Sequence, residues 1–196
     1  MADVRRATGA DIEAAADTLA AAFTGYPFVR HVVAADDHEQ RVRELQRLFL
    51  TEVGLDHGAV WVTDDCGAVA VWTTPDTDAA AAFGPIAERA GELAGDRAEA
   101  SARAEQALGP HRPTEPAWFL GTVGVRPDRQ GQGLGSAVIQ PGLDAADEAG
   151  APAYLETTGD RNVRLYRKLG FEVFAEVQLP DGGPLTLCMR RAPQVR

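Results

Sequence analysis

The sequence predicts an α/β domain built on one mixed β-sheet flanked by helices. Two observations carry that expectation. Short apolar runs with strand character alternate with segments whose apolar residues recur at helical spacing. The order is also mixed: a hairpin comes first, then strand–helix–strand–helix–strand–strand. The 196 residues fit a single domain spanning 1–196. A chain of that length buries roughly 70% of its unfolded surface and needs no staples.

The elements follow in chain order. Val4 to Ala7 reads as a short strand. Thr8 offers an N-cap with Asp11 three residues on, a capping-box spacing. Ile12, Ala15, Ala16, Leu19 and Phe23 then lie on one helical face. Gly25-Tyr26-Pro27 breaks that helix, and Phe28 to Val33 forms a short helix or turn. Val42, Leu45, Leu48, Phe49 and Val53 predict an amphipathic helix from Asp37 to Leu55. Val60-Trp61-Val62 and Val69-Ala70-Val71-Trp72 are strands around a hairpin turn at Asp64-Asp65-Cys66-Gly67, and Pro75 closes the second.

Residues 77–108 are rich in Ala, Glu and Arg and are interrupted by Gly84, Pro85, Gly91 and Gly95. They predict two loosely joined helices, a helical insertion between the third and fourth strands. Trp118 to Val125 is the strongest strand of the chain. A polar turn and a glycine-rich loop lead from it into a helix ending near Ala149, which Pro141 should kink by removing an N–H and crowding the carbonyl of Ala137. Tyr154 to Thr157 is a strand, Asn162 to Leu169 a short helix stopped by Gly170, and Phe171–Val177 and Leu185–Met189 are the last two strands.

Composition excludes several function classes. Nineteen basic against 29 acidic residues give a net charge of −10, against the basic face of a nucleic-acid binder. The same charge disfavours docking on an anionic membrane and leaves a cationic partner open. No run of 18 apolar residues occurs, so no transmembrane helix is expected, and no apolar leader is visible after Met1. Cys66 and Cys188 stand far apart and outside any C-x-x-C or His/Cys cluster. A metal site or disulfide framework is therefore not expected, and a reducing cytoplasmic compartment fits.

The chemistry concentrates in Gln130-Gly131-Gln132-Gly133-Leu134-Gly135-Ser136, between a strand and a helix. Glycines there permit positive φ and close approach of a ligand to the backbone. The first N–H groups of the helix are unpaired and its dipole favours an anion, so a phosphate fits. A P-loop would need Gly-Lys-Ser/Thr where Leu134-Gly135-Ser136 stands. A dinucleotide fingerprint would need Gly or Ala at Ser136 and a tighter turn after the strand than the five residues separating Val125 from Gly131.

Gln130-x-x-Gly133-x-Gly135 resembles the Gln/Arg-x-x-Gly-x-Gly/Ala signature of the GNAT superfamily of N-acetyltransferases. Val123-Gly124-Val125 and the Asn162…Tyr166…Leu169-Gly170-Phe171 segment also resemble that family, as does the mixed strand order. Further matches cover nearly the whole chain. They include Ala20-Ala21-Ala22-Phe23, Leu50-Thr51-x-Val53-Gly54-Leu55-Asp56, Val71-Trp72-Thr73-Thr74-Pro75, Glu115-Pro116-Ala117-Trp118-Phe119-Leu120 and Tyr154-Leu155-Glu156-Thr157. Within the superfamily these resemble the branch that acetylates the aminonucleoside puromycin.

The resemblance implies acetyl-CoA as co-substrate and the free amine of puromycin or a similar aminonucleoside as acceptor. It places the pyrophosphate on backbone amides from Gln130 to Ser136, with Arg129 nearby. It puts the oxyanion donor at a backbone amide around Val123, Gly124 and Val125, which suits the charge that acyl transfer develops. Tyr166 falls where the family carries its general acid, and Asn162, four residues earlier, shares its helical face. The base stays open among Glu156, Tyr26 acting through water, and His111; an α-amine titrating near 7–8 asks little of it. The acceptor pocket is expected to be aromatic, with Tyr26, Phe28, Trp72 and Trp118 as its candidates and Trp61 and Phe83 also available. Another amine acceptor and a non-catalytic acetyl-CoA-binding module are the competing readings. The expected assembly is a monomer or homodimer.

Overall fold

The computed structural model describes residues 3–194. A seven-stranded sheet runs in the order β1-β2-β3-β4-β5-β7-β6. Its strands are β1 (Val4–Arg6), β2 (Gly58–Thr63), β3 (Ala68–Thr73), β4 (Trp118–Val125), β5 (Ala153–Thr157), β6 (Glu172–Gln178) and β7 (Leu185–Arg191). Among them β4 and β5 are parallel and every other neighbour is antiparallel. The sheet is mixed, as the strand pattern predicts, and helices flank it.

The helices are α1 (Ile12–Phe23), α2 (Pro27–Val32), α3 (His38–Leu48), α4 (Ala79–Phe83), α5 (Ala87–Ala94), α6 (Ala98–Leu108), α7 (Leu134–Glu148) and α8 (Asp160–Lys168). Two expectations need correction. The helix predicted from Asp37 to Leu55 is α3 followed by a wider π-helical stretch, Phe49–Leu55. The wide turn brings Gly54 against the sheet, where a β-carbon would stand only 2.7 Å from Val60 and 2.8 Å from Val71. The insertion between β3 and β4 holds three helices rather than two. Gly84 and Gly95 separate them, whereas Gly91 lies inside α5.

One hydrophobic cluster joins α7 and α8 to the sheet through Trp72, Leu120, Leu134, Ile139, Leu143, Leu155, Tyr166 and Met189. The other face packs α1, α2, α3 and α6 through Leu19, Val29, Val42, Leu108 and Tyr154. The contact between α7 and β3 is close: a β-carbon on Gly142 would lie 2.4 Å from the Trp72 ring, so only glycine lets the helix settle there. The helix runs on through Pro141.

At the amino end the predicted capping box forms. Thr8 donates to Asp11 Oδ2 from both its backbone N–H (2.8 Å) and its hydroxyl (3.0 Å). Arg5 donates to both carboxylate oxygens at 2.8 Å. The Arg5 guanidinium, helped by Thr8 and opposed by burial, holds the Asp11 carboxyl well below the usual carboxylate range. A depressed acid stabilises the fold above its unfolded pKa near 4, and that contribution disappears as pH falls below it. Asp11→Asn is therefore expected to cost about 1 kcal/mol at pH 7, since Arg5 is partly in solvent. Thermal melts should show a Tm lower by about 2–4 °C and a shallower loss of Tm below pH 4 than the parent chain.

Candidate active site

The parallel pair makes the site. Trp118, Phe119 and Leu120 of β4 pair with Ala153, Tyr154 and Leu155 of β5, and the pairing stops there. Beyond Leu120 the β5-facing backbone of β4 has no strand partner, while its other edge stays paired to β3 as far as Val125. A bulge interrupts that other edge as well: Val71 is opposite Thr122 and Trp72 opposite Leu120, which leaves Gly121 as the extra residue. The two strands thus part, and those main-chain amides between Gly121 and Val125 that point away from β3 have no strand partner; this is the segment expected to supply the oxyanion donor.

On the α7 side of the gap lies the glycine loop. Gly131 and Gly133 both have φ +79, and nothing lies within 4 Å of the place where a β-carbon would stand. The first turn of α7 has no side-chain cap, so its N–H groups are open to an anion. Gln130 reaches back to the carbonyl of Val125 at 3.3 Å. Arg129 is ion-paired with Asp65 and contacts Gln132 at 3.4 Å, so its charge is shared with the hairpin turn.

Tyr166 stands on α8 and belongs to the cluster that joins α7 and α8 to the sheet. Its side chain is buried against Phe171, with ring centroids 6.0 Å apart. Burial, and then the neighbouring Tyr26, push the Tyr166 phenol up from its usual range, so it keeps its proton at every physiological pH. Among the described residues no group hydrogen-bonds to its hydroxyl. Asn162 lies one turn earlier on α8. It does not cap the helix, which begins at Asp160 after Gly159; its amide donates to Thr157 Oγ1 (3.2 Å) and to the Thr158 carbonyl (3.3 Å).

Tyr26 enters from the opposite side of the sheet. The backbone break at Gly25-Tyr26-Pro27 turns it to the end of β5, where Thr158 N–H donates to its hydroxyl at 2.7 Å and Thr157 Oγ1 lies 3.3 Å away. The Tyr26 ring meets Phe23 edge-on at 5.4 Å, and both belong with Phe28, Phe119 and Tyr154 to the cluster under α2 and α6.

Glu156 is bound on both oxygens. Arg112 donates to it from Nε (2.8 Å) and Nη2 (3.1 Å), and the Tyr154 hydroxyl donates at 2.8 Å. Arg112 follows α6, pairs also with Glu105, and stands 5.8 Å over the Phe119 ring. The helical insertion therefore reaches the site with a cation that no motif announces. His111, the other base candidate, lies in the short turn Gly109–His111 beside it.

Two expected acceptor residues are elsewhere. Trp72 is wholly buried, clamped by α7 at Gly142. Trp118 stands at the start of β4 on the α7 face and packs against Trp72 and Trp61. Successive strand residues face opposite sides, so Phe119, not Trp118, is the β4 aromatic that shares a face with Tyr26. Trp61 is buried in the α7 cluster, and Phe83 is an exposed residue of α4 near Phe49.

Residues 61–171 match the model of the acetyltransferase (GNAT) family. A crystal structure described as histone acetyltransferase HPA2 and related acetyltransferase, from Corynebacterium glutamicum, is 27% identical with a TM-score of 0.77. The match covers 100% of this chain and 99% of that one. The ribosomal-protein-S18-alanine N-acetyltransferase of Escherichia coli shares the fold at 16% identity and a TM-score of 0.60, over 100% of this chain and 96% of its own. A mosquito arylalkylamine N-acetyltransferase-like protein does so at 16% and 0.58, over 98% of this chain and 100% of its own.

Proposed function

The chain belongs to the acetyltransferase (GNAT) family and is an N-acetyltransferase, and from that premise we propose that it uses acetyl-CoA to acetylate the free amine of puromycin or a similar aminonucleoside. One observation carries the assignment of the site. The β4–β5 pairing ends at Leu120 and Leu155; β4 runs on toward the uncapped start of α7, and Tyr26 is bonded to Thr157 at the end of β5. These residues fit acetyl-CoA. Gly131 and Gly133 leave room for a pyrophosphate against backbone N–H groups, and the unpaired edge of β4 offers amides to a carbonyl.

The bound co-substrate supplies an acetyl group already activated as a thioester. The chain's own residues do the rest. Backbone amides of Gln130 to Ser136 hold the anionic end. Amides between Gly121 and Val125 face the oxygen on which negative charge develops. Tyr166 holds a proton ready for the departing sulfur. Glu156, fixed by Arg112 and Tyr154, has a lone pair left on Oε2 for a hydrogen bond from the amine or an intervening water. Tyr26, Phe28 and Phe119 form the apolar, aromatic wall that an aryl nucleoside requires. The reading extends to one acetyltransferase domain acting in the cytoplasm, which two unbridged, buried cysteines support.

The test is direct. Purified protein is mixed with acetyl-CoA and a panel of puromycin, an arylalkylamine, agmatine and an alanine-ended peptide, and free thiol is followed. Puromycin is expected to give the highest kcat/KM. No rate above background with puromycin, alongside turnover of another amine, would overturn the acceptor. Acetyl-CoA binding without thiol release for every amine would mark a non-catalytic module.

A further inference from the structure

The end of β5 and the start of α8 form a small closed network around one hydroxyl. Thr157 Oγ1 accepts from Asn162 Nδ2 at 3.2 Å and lies 3.3 Å from the Tyr26 hydroxyl. Thr158 N–H donates to the same Tyr26 oxygen at 2.7 Å. Thr157 and Thr158 are 3% and 5% exposed, so water does not compete for these bonds.

The distances alone let either hydroxyl donate between Tyr26 and Thr157, and the need to pair every buried donor selects the direction. A threonine hydroxyl has one proton to give and two lone pairs to offer. Asn162 occupies a lone pair, because its Nδ2 can only donate. Thr157 is buried, and among the described residues its hydroxyl has no acceptor besides Tyr26 Oη, so only donation to Tyr26 leaves its proton paired. The Tyr26 oxygen so receives two donors, Thr158 N–H and Thr157 O–H, which uses both of its lone pairs. Its own proton is then left to point out of the network.

We infer that Thr157 is a positioning residue for acetyl transfer: its hydroxyl, oriented by Asn162, turns the Tyr26 O–H toward the acetyl carbonyl oxygen at the β4–β5 gap. This rests on the reading of that gap as the acetyl-transfer site. Tyr26 is then a second donor to the developing oxyanion, besides the β4 amides, and it is aimed before the reaction begins. A donor fixed in advance stabilises charge without reorganising when the charge appears. No bond is made or broken at Thr157, and Tyr26 keeps its proton throughout.

The test is a double-mutant cycle on the full chain, read with acetyl-CoA and whichever amine of the panel releases thiol fastest. Thr157→Val keeps the shape of the side chain and removes its hydroxyl. It is expected to lower kcat about three- to ten-fold, the worth of one hydrogen bond, with KM for acetyl-CoA unchanged. Thr157→Ser should restore the rate. Tyr26→Phe should lower kcat at least as far, and in that background Thr157→Val should cost nothing more, since residues acting through one another are non-additive. Equal losses in both backgrounds, or a Thr157→Ser as slow as Thr157→Val, would overturn the role of Thr157 and leave the transfer reading standing. If Thr157→Val does not fold, Thr157→Ala is read in the same cycle. Absence of thiol release by the parent chain with every amine would overturn the transfer reading and this role with it.

Discussion

Tyr166→Phe is expected to lower kcat by about 10²-fold, the lower end of what a positioned proton donor contributes. Acetyl-CoA affinity should not change, and kcat and kcat/KM should fall together, as they do when the lost interaction exists only in the transition state. The structure makes this a clean substitution. The hydroxyl has no partner among the described residues, so removing it leaves nothing unsatisfied, and the ring still packs on Phe171. The melting temperature should therefore match the parent's. The pH dependence carries a sign of its own. Burial and the nearby Tyr26 both raise the Tyr166 phenol, so its proton is lost only above the ordinary tyrosine value near 10. Up to that pH, kcat of the parent should show no falling alkaline limb from this residue. Stopped-flow or steady-state thiol release across pH 6–10 checks both statements. A Tyr166→Phe chain that retains the parent kcat in a pre-steady-state measurement would remove the residue from the chemistry.

What could be read from the sequence divides along a physical line. Strands β2, β3 and β4 were legible because their apolar runs are short, β-branched and closed by Gly, Asp or Pro. The glycine loop was legible because its requirements are local: glycine where φ is positive, then a helix start. That Asn162 and Tyr166 share a face of one short helix was legible for the same reason. The third helix of the insertion was not, because two weak glycine signals, Gly91 and Gly95, look alike in sequence and only Gly95 ends a helix. For the aromatics Trp72 and Trp118, which side of the sheet they face was not legible. Trp118 and Phe119 are adjacent aromatics on one strand, and which of them faces α7 depends on how β4 lies in the sheet, a register the sequence does not carry. Tyr26 meets Thr157 and Thr158 across about 130 residues of chain, and Arg112 reaches Glu156 from the far end of the insertion. Such contacts exist only once the parallel pair and the α1–α2 break are in place.

Arg191→Ala is expected to be the most damaging single change away from the site. Arg191 ends β7 and is 4% exposed in its side chain; Asp147, near the end of α7, is 8% exposed. The pair is bidentate, with Nη1 at 2.6 Å and Nη2 at 2.8 Å, and Arg191 Nε also donates to the Leu169 carbonyl at 3.0 Å. One side chain thus ties three elements: the last strand, α7 and the end of α8. Removing it leaves a carboxylate buried without its cation, a defect that costs about 3–5 kcal/mol. In a chain of this size that lowers Tm by about 6–20 °C. Arg191→Met should be milder at the melt, because it keeps the apolar stem packed while losing the same charge, so the difference between the two variants reports packing and their common loss reports the lost Arg191–Asp147 ion pair. Asp147→Asn together with Arg191→Met should recover part of the loss, since removing both charges ends the burial of an uncompensated one. Asp147 sits at the opposite end of α7 from the glycine loop. Well below its melt, Arg191→Ala should therefore keep the parent's KM for acetyl-CoA, and a raised KM at 10 °C would show that this pair also sets the position of the loop.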